Sequence, residues 1–368
     1  MIIMILITGM RVGGAERVAA TMANTFARRG HEATLVSTQN KPNPYPLDSR
    51  VRYIECGLSY SEDSGAVKKN LTLMASAAKG FPRFTKILRE NRPDAVISFL
   101  NNASIFAAAY KLLRDRRLPV IVYEQSDPRR YSKGMRALLC QLFRRSDAVV
   151  CQSRDVENYY RANGSKNTVV IDNPLNDECI ADEPAQTRTK RVVAAGRLMN
   201  LKNYPLLLDA FERIHPEFPD YRLEIYGDGP DRALLEKKRD ALSCASSVSF
   251  MGNVSNVMRT VSDASLYVMS SDYEGFPNAL VEALASGIPA ICTDFPSGVA
   301  HELIENGVNG LVVPTGDVDA MAQAMRTMLG DPQRAEAMGR RGFAIRDRLN
   351  ADRVSERWES LVREVSRK

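Results

Sequence analysis

The chain has 368 residues, of which 44% are hydrophobic and 26% charged, a globular composition that is too long for one ordinary core and long enough for two domains. No run of eighteen apolar residues occurs. The opening MIIMILITGM lacks a basic lead and a cleavage site, so it reads as a buried first strand rather than a membrane span or signal peptide. Six scattered cysteines without a CxxC pair, and only three histidines, point to neither a disulfide framework nor a zinc site, and fit a reducing, cytoplasmic compartment.

The net charge of +6 is unevenly divided. Residues 1–175 carry 27 Lys and Arg against 15 Asp and Glu, or +12, which leaves 23 against 29, or −6, for residues 176–368. A basic first half suits anionic lipid head groups or a diphosphate-bearing lipid, each nearby cation contributing on the order of 1 kcal/mol. Solvated surface is the plain alternative. Nucleic acid is disfavoured, because no zinc finger, RNP-like aromatic motif or long basic run is present.

After the first strand comes GMRVGGAERVAATMANTFARRGHEATLVS, a glycine loop, a helix and a second strand. The spacing is not GxGxxG, and no GK[ST] follows. Gly13 and Gly14 at a helix start either make a tight turn or let the backbone approach a phosphate. Lys41 to Ser64 reads as a loop with a short strand at Val51 to Cys56. From Lys68 to Arg92, Leu71, Leu73, Met74, Phe81, Phe84, Ile87 and Leu88 alternate with basic residues, and Gly80 and Pro82 break the stretch in two. Its apolar side fits a membrane face or a core equally. PDAVISFL, LPVIVYEQSDP and SDAVVCQS then read as strands between helices, the doubly wound pattern. Loops after such strands face the ligand, which makes Asn101, Asn102, Glu124, Gln125 and Ser126 candidate acceptor or sugar contacts.

Residues 176–190 read as a polar linker. A second Rossmann-like unit starts at Arg191, where a strand gives way to a loop carrying Arg197 and Lys202 ahead of a helix from Tyr204. Two cations at a helix start suit a diphosphate, although either one alone would pass for surface charge. YRLEIYGDGPDRALLEKK adds a strand and the turn Gly227 to Pro230. An Asn309-Gly310 pair looks like a hairpin turn, and Asp317 and Asp319 form a DxD whose place at a helix start favours capping over metal binding. A last amphipathic helix runs from Asn350 and carries Trp358 and Leu361.

SSDYEGFPNALVEALASGIP, residues 270–289, reads as a strand end, a loop, a helix opening near Pro277 and a stop at Gly287. Glu274 and Glu282 would lie roughly 12 Å and about 80° apart if the whole stretch were helical. That is too far for a glycosidase carboxyl pair, which sits between about 5 and 10 Å. It suits two separate hydroxyl-binding tasks along an extended ligand, or an exposed helical face bearing unrelated glutamates.

EGFPNALVEALASGIPAICTD resembles the E-x7-E signature of retaining glycosyltransferases of family 4, down to Gly275, Phe276, Pro277, Ala283 and the Gly287-Ile288-Pro289 exit. The resemblance extends to the GG-x-E after the first strand, to GR-x4-KN at Arg197 and Lys202, and to the G-x-G-P turn at Gly227. It implies a GT-B fold, α/β, with two Rossmann-like doubly wound domains facing a central cleft. An acceptor-binding domain would cover residues 1–175, a nucleotide-sugar-binding domain 191–349, and a helix over 350–368 would cross back to the first.

By the same resemblance, Arg197 and Lys202 grip the donor diphosphate and Glu274 orients the hexose. Glu282 takes the ribose, Gly13 and Gly14 approach a phosphate, and Asn253 and Val254 touch the base. Gly227, Phe276, Asn278, Ala279 and Leu280 complete the donor site. Many relatives carry a histidine after the glutamate of the YEQS segment, where this chain has Gln125, which cannot take a proton near neutral pH. The implied reaction is metal-free, retaining transfer from a UDP-sugar to a lipid-linked glycan at the cytoplasmic membrane face, with no further cofactor. A silent nucleotide-sugar-binding subunit, expected to lose Arg197, Lys202 or a motif glutamate, and a UDP-sugar epimerase on the same fold are the alternatives.

Overall fold

The computed structural model describes residues 1–367 apart from 12, 41 and 59–79. It divides into two compact units, residues 1–174 with 350–368, and residues 175–349. Both are doubly wound α/β sheets in which every strand pair is parallel. Runs such as Ile2–Ile7 and Ala264–Met269 are apolar on both faces because helices cover both sides of a parallel sheet.

The first unit holds β1 (Ile2–Ile7), β2 (Glu32–Gln39), β3 (Arg52–Leu58), β4 (Ala95–Phe99), β5 (Val120–Tyr123), β6 (Ala148–Cys151) and β7 (Thr168–Val170), in the order β3-β2-β1-β4-β5-β6-β7. Its period-two alternation is visible on β1: Ile3, Ile5 and Ile7 pack toward α1 (Gly14–Arg28), whereas Met4 and Leu6 join the opposite layer. Residues 80–91 form a helix, α2, with Gly80 and Pro82 in its first described turn. Phe84, Ile87 and Leu88 of α2 are buried in the core, so its apolar side is not a membrane face. The rest of that amphipathic stretch, residues 68–79, lies outside the described residues. The other crossover helices are α3 (Asn101–Leu113), α4 (Lys133–Phe143) and α5 (Arg154–Ala162).

The second unit orders its six strands β10-β9-β8-β11-β12-β13. These are β8 (Thr189–Ala195), β9 (Arg222–Tyr226), β10 (Val248–Gly252), β11 (Ala264–Met269), β12 (Ala290–Asp294) and β13 (Leu311–Pro314), with helices α6 (Tyr204–Ile214), α7 (Arg232–Asp240), α8 (Val257–Thr260), α9 (Asn278–Ala285), α10 (Val299–Leu303), α11 (Val318–Gly330), α12 (Pro332–Gly342) and α13 (Ile345–Leu349). The stretch read as a linker belongs to this unit: Cys179 and Ile180 are buried, and β8 opens two residues before Arg191. Asn309-Gly310 makes no hairpin, since β13 runs parallel to β12. The Asn309 side chain instead receives the Glu305 N–H and donates to the Leu303 carbonyl. Asp317 caps α11 by accepting from Ala320 N, and Asp319 pairs with Arg213, so the DxD carboxylates serve local structure.

The last helix, α14 (Ala351–Ser366), packs in the first unit. Trp358 is fully buried with its ring 4.9 Å from that of Tyr123, and Glu359 meets Arg29 at 2.5 Å and His31 at 3.0 Å. Trp358→Ala is expected to cost about 3–5 kcal/mol through the cavity it leaves. Urea unfolding followed by far-UV dichroism checks this, and a loss under about 1 kcal/mol would show that α14 is dispensable to the unit.

Candidate functional site

In the second unit the strand order reverses between β8 and β11, the place where open α/β sheets bind ligands beyond their strand C-termini. Arg197 follows β8, Gly227 follows β9, Asn253 and Val254 follow β10, and Glu274 follows β11. Four neighbouring strands therefore bring these residues to one rim. Arg197, Asn253 and Val254 stand exposed there.

The Lys202 ammonium meets the Glu274 carboxylate at 2.5 Å, and Ser271 Oγ donates to the same oxygen at 2.6 Å. Further bonds stitch the two loops together. Ser270 Oγ donates to the Lys202 carbonyl, Asn203 Nδ2 to Asp272, and Asp272 N to the Leu201 carbonyl. Asn203 takes left-handed backbone angles and caps α6, which turns the chain so that Lys202 points back across the sheet junction. Ser271 and Asn203 were missed in the sequence. The KN of GR-x4-KN was the available signal for Asn203, and a hydroxyl three residues before the first motif glutamate was the signal for Ser271.

Gly227 explains itself by close approach. Its φ is +127°, and a Cβ there would lie 2.0 Å from the Gly196 carbonyl oxygen. Leu198 N donates to the Asp228 carbonyl and Asp231 N to that of Leu198, so the G-x-G-P turn buttresses the loop that carries Arg197. Gly227 thus reaches the site through its neighbour's backbone.

Neither glutamate lies on an exposed helical face. Glu274 precedes α9, in a loop, with 11% of its side chain exposed, and Glu282 is buried within α9 among Leu280, Val281, Ala283 and Leu284. Burying a carboxylate costs several kcal/mol unless it is paired or bonded, which marks Glu282 as more than surface decoration. Phe276 and Leu280 are buried, while Asn278 and Ala279 at the first turn of α9 remain partly exposed. Gly287, at φ +69°, ends the helix.

In the first unit the order reverses between β1 and β4. The Gly13 amide already donates to Tyr45 Oη, which returns its proton to the Gly13 carbonyl, both at 2.8 Å. The Gly13 N–H is therefore spent within the protein, and Gly14 opens α1. Asn101 and Asn102 are not in a loop: they form the first turn of α3, entered through Leu100 at φ +67°, a rare angle for a side-chain-bearing residue.

Glu124 turns inward instead of facing an open ligand. It is buried and accepts from Tyr160 Oη at 2.6 Å, Ser126 N at 3.0 Å and Tyr131 Oη at 3.3 Å, fastening the loop after β5 to α5. Ser126 serves the same turn. Gln125 Oε1 receives Gln152 Nε2 at 3.1 Å, and Gln152 also donates to Asn173 Oδ1, a network that sequence reading missed. Gln125 Nε2 and Gln152 Oε1 are buried with no partner among the described residues.

Two family models match the chain and together run from residue 12 to 344: Glycosyltransferase Family 4 over residues 12–178 and Glycosyl transferases group 1 over residues 176–344. The chain belongs to the family 4, group 1 glycosyltransferases. The junction of the two models falls at the boundary between the two units. Among curated relatives, an undecaprenol-linked-glycan α-1,4-N-acetyl-D-galactosaminyltransferase of Campylobacter jejuni is 27% identical over 98% of both chains. An exopolysaccharide phosphotransferase of Streptomyces coelicolor is 35% identical over 48% of this chain, which spans about a fifth (19%) of that protein's length. The fold matches sucrose-phosphate synthase from Thermosynechococcus elongatus (TM-score 0.84, 18% identity, 99% of both chains) and Anabaena HepE solved with UDP-glucose (TM-score 0.78, 16% identity, all of both chains). These likenesses establish this family 4 chain as a GT-B protein.

Burial pushes the Glu124 carboxyl from its ordinary 4.5 up to about 7, against the pull of the hydrogen bonds donated to it. Because the folded state disfavours the ionised form, this contribution to stability is full below pH 4.5 and is lost as pH rises through 7. Glu124→Gln should abolish that slope, so the gap between variant and wild type changes by about 3 kcal/mol between pH 4.5 and 7.5. Parallel urea-unfolding curves across this range would show that Glu124 does not titrate there.

Proposed function

We propose that this glycosyltransferase moves a hexose or N-acetylhexosamine from a UDP-sugar to a polyprenyl-diphosphate-linked glycan, with retention of configuration and without a metal. The observation that carries the reading is the rim at the β8–β11 junction, where Lys202 and Glu274 touch and Arg197 stands exposed. Cations and a hydroxyl-reading carboxylate at a sheet switch point are what a sugar diphosphate needs. The Campylobacter relative acts on undecaprenol-linked glycans and the Anabaena neighbour was solved with UDP-glucose, which supports both substrate classes.

Glu274 accepts hydrogen bonds from hexose hydroxyls while its other partner, Lys202, turns its remaining N–H donors to the diphosphate. Negative charge grows on the leaving diphosphate as the glycosidic bond breaks, and Arg197 with Lys202 stabilises that growth. They take the place a divalent cation holds in other transferases. Glu282 receives the ribose hydroxyls. The first unit is taken as the acceptor-binding one, and its Gln125 cannot take a proton near neutral pH. The acceptor proton passes instead to the departing diphosphate, on the face the diphosphate leaves, and configuration is retained.

Nucleotide release with a panel of donors and a polyprenyl-diphosphate glycan tests this. Arg197→Ala and Lys202→Ala are each expected to lower turnover roughly 10²- to 10³-fold with the fold intact, and wild-type activity should persist in EDTA. Near-normal turnover in either variant removes that residue from the site, and a tenfold EDTA loss restored by magnesium removes metal independence. The two motif glutamates should differ in kind. Glu274→Gln should mainly lower kcat and blur donor choice, whereas Glu282→Ala should mainly raise the donor KM and weaken UDP itself. An inverted product or a trapped glycosyl adduct would overturn the mechanism.

A further inference from the structure

We infer that α4 and the last turn of α3 form a docking surface for an anionic lipid bilayer. Of the eleven residues in α4, only Leu139 and Phe143 are buried. Met135, Leu138 and Leu142 recur at i, i+3 and i+7, so they form one stripe beside that anchor. Met135 and Leu138 are exposed, and Leu113 at the end of α3 is 73% exposed. With Leu112 these are the only exposed large apolar residues of the first unit among the described residues. Lys111 of α3 reaches Asp147 at 2.8 Å, three residues after Arg144 caps α4, which ties the two helix ends together.

The same segment is the most cationic of the chain. Residues 111–145 carry ten Lys and Arg against Asp115, Glu124 and Asp127, and the last two are buried. Arg114, Arg116, Arg117, Lys133, Arg144 and Arg145 are exposed. The +12 of the first half is thus concentrated where apolar side chains protrude.

That combination selects the occupant. A second copy of the chain meeting it through the same face would set like charges against each other. A nucleic acid would use the cations but not the aliphatic stripe, and neither helix exposes an aromatic ring for stacking. A bilayer takes both, with cations among anionic head groups and Leu and Met at the acyl boundary. The surface lies apart from α2, whose apolar residues are core. It deepens the lipid-linked acceptor reading without depending on it, because docking needs neither donor nor acceptor.

The test is flotation of the full chain with phosphatidylcholine vesicles, with and without phosphatidylglycerol. Wild type should float with the anionic vesicles and detach as salt rises above about 0.1 M. Met135→Ser with Leu138→Ser, and separately Lys133→Glu with Arg145→Glu, should each weaken partitioning at least roughly tenfold. Both variants should keep wild-type melting curves and wild-type nucleotide release with acceptor presented in detergent, which separates docking from catalysis. Wild-type flotation by both variants would overturn the assignment. So would equal binding to neutral vesicles, displacement by an RNA oligonucleotide, or a dimer that Met135→Ser with Leu138→Ser dissolves.

Discussion

The contact between Lys202 and Glu274 is the constraint on which the second unit's rim depends. It joins the loop after β8 to the loop after β11, across the one place where the strand order reverses. Two loops that diverge from a switch point leave a crevice, and without a bridge each would lose its register against the other. The bridge is made from the two side chains that a sugar diphosphate would also want, an ammonium and a carboxylate. Each is held by more than the other: Ser271 fixes Glu274, and Asn203 sets the turn after Lys202. Under the proposed role a donor would meet charges that are already oriented, leaving little ordering cost for the moment of binding.

Around that bridge the second unit spends its backbone on rigidity. Gly227 and Gly229 press against Gly196 and Leu198 so closely that no side chain fits, which fixes the loop bearing Arg197. The first unit answers with buried polar networks instead. Glu124 with Tyr160 and Tyr131, and Gln125 with Gln152 and Asn173, hold the segments after β5 and β6. An exposed apolar stripe and a cationic belt then sit on the next helix outward, α4.

Much of this was legible because parallel strands and their crossovers write strong local patterns. The apolar runs at Ile2–Ile7 and Ala264–Met269, the helix stop at Gly287 and the cap at Asp317 are short-range effects that a sequence carries openly. The E-x7-E stretch fixed where to look, and Glu274 and Glu282 do occupy a loop and a buried helix position. What escaped depends on distant partners. The inward turn of Glu124 needs Tyr160, thirty-six residues on, and the Gly13 amide is claimed by Tyr45. Asn309-Gly310 has hairpin chemistry, yet the strand it precedes pairs parallel with β12, so topology overrode the local turn signal. Of the two readings open at Phe84 to Leu88, core is the one realised, a choice the pattern could not make because amphipathicity alone does not say which solvent the apolar side meets.

The most direct test of the central claim is a double-mutant cycle on UDP affinity, measured by calorimetry for wild type, Lys202→Ala, Glu274→Gln and the pair. If the two side chains form one preorganised unit of the donor site, their effects are coupled, with an interaction energy above about 1 kcal/mol. Effects that add within about 0.5 kcal/mol, or UDP binding that none of the variants alters, would contradict the account.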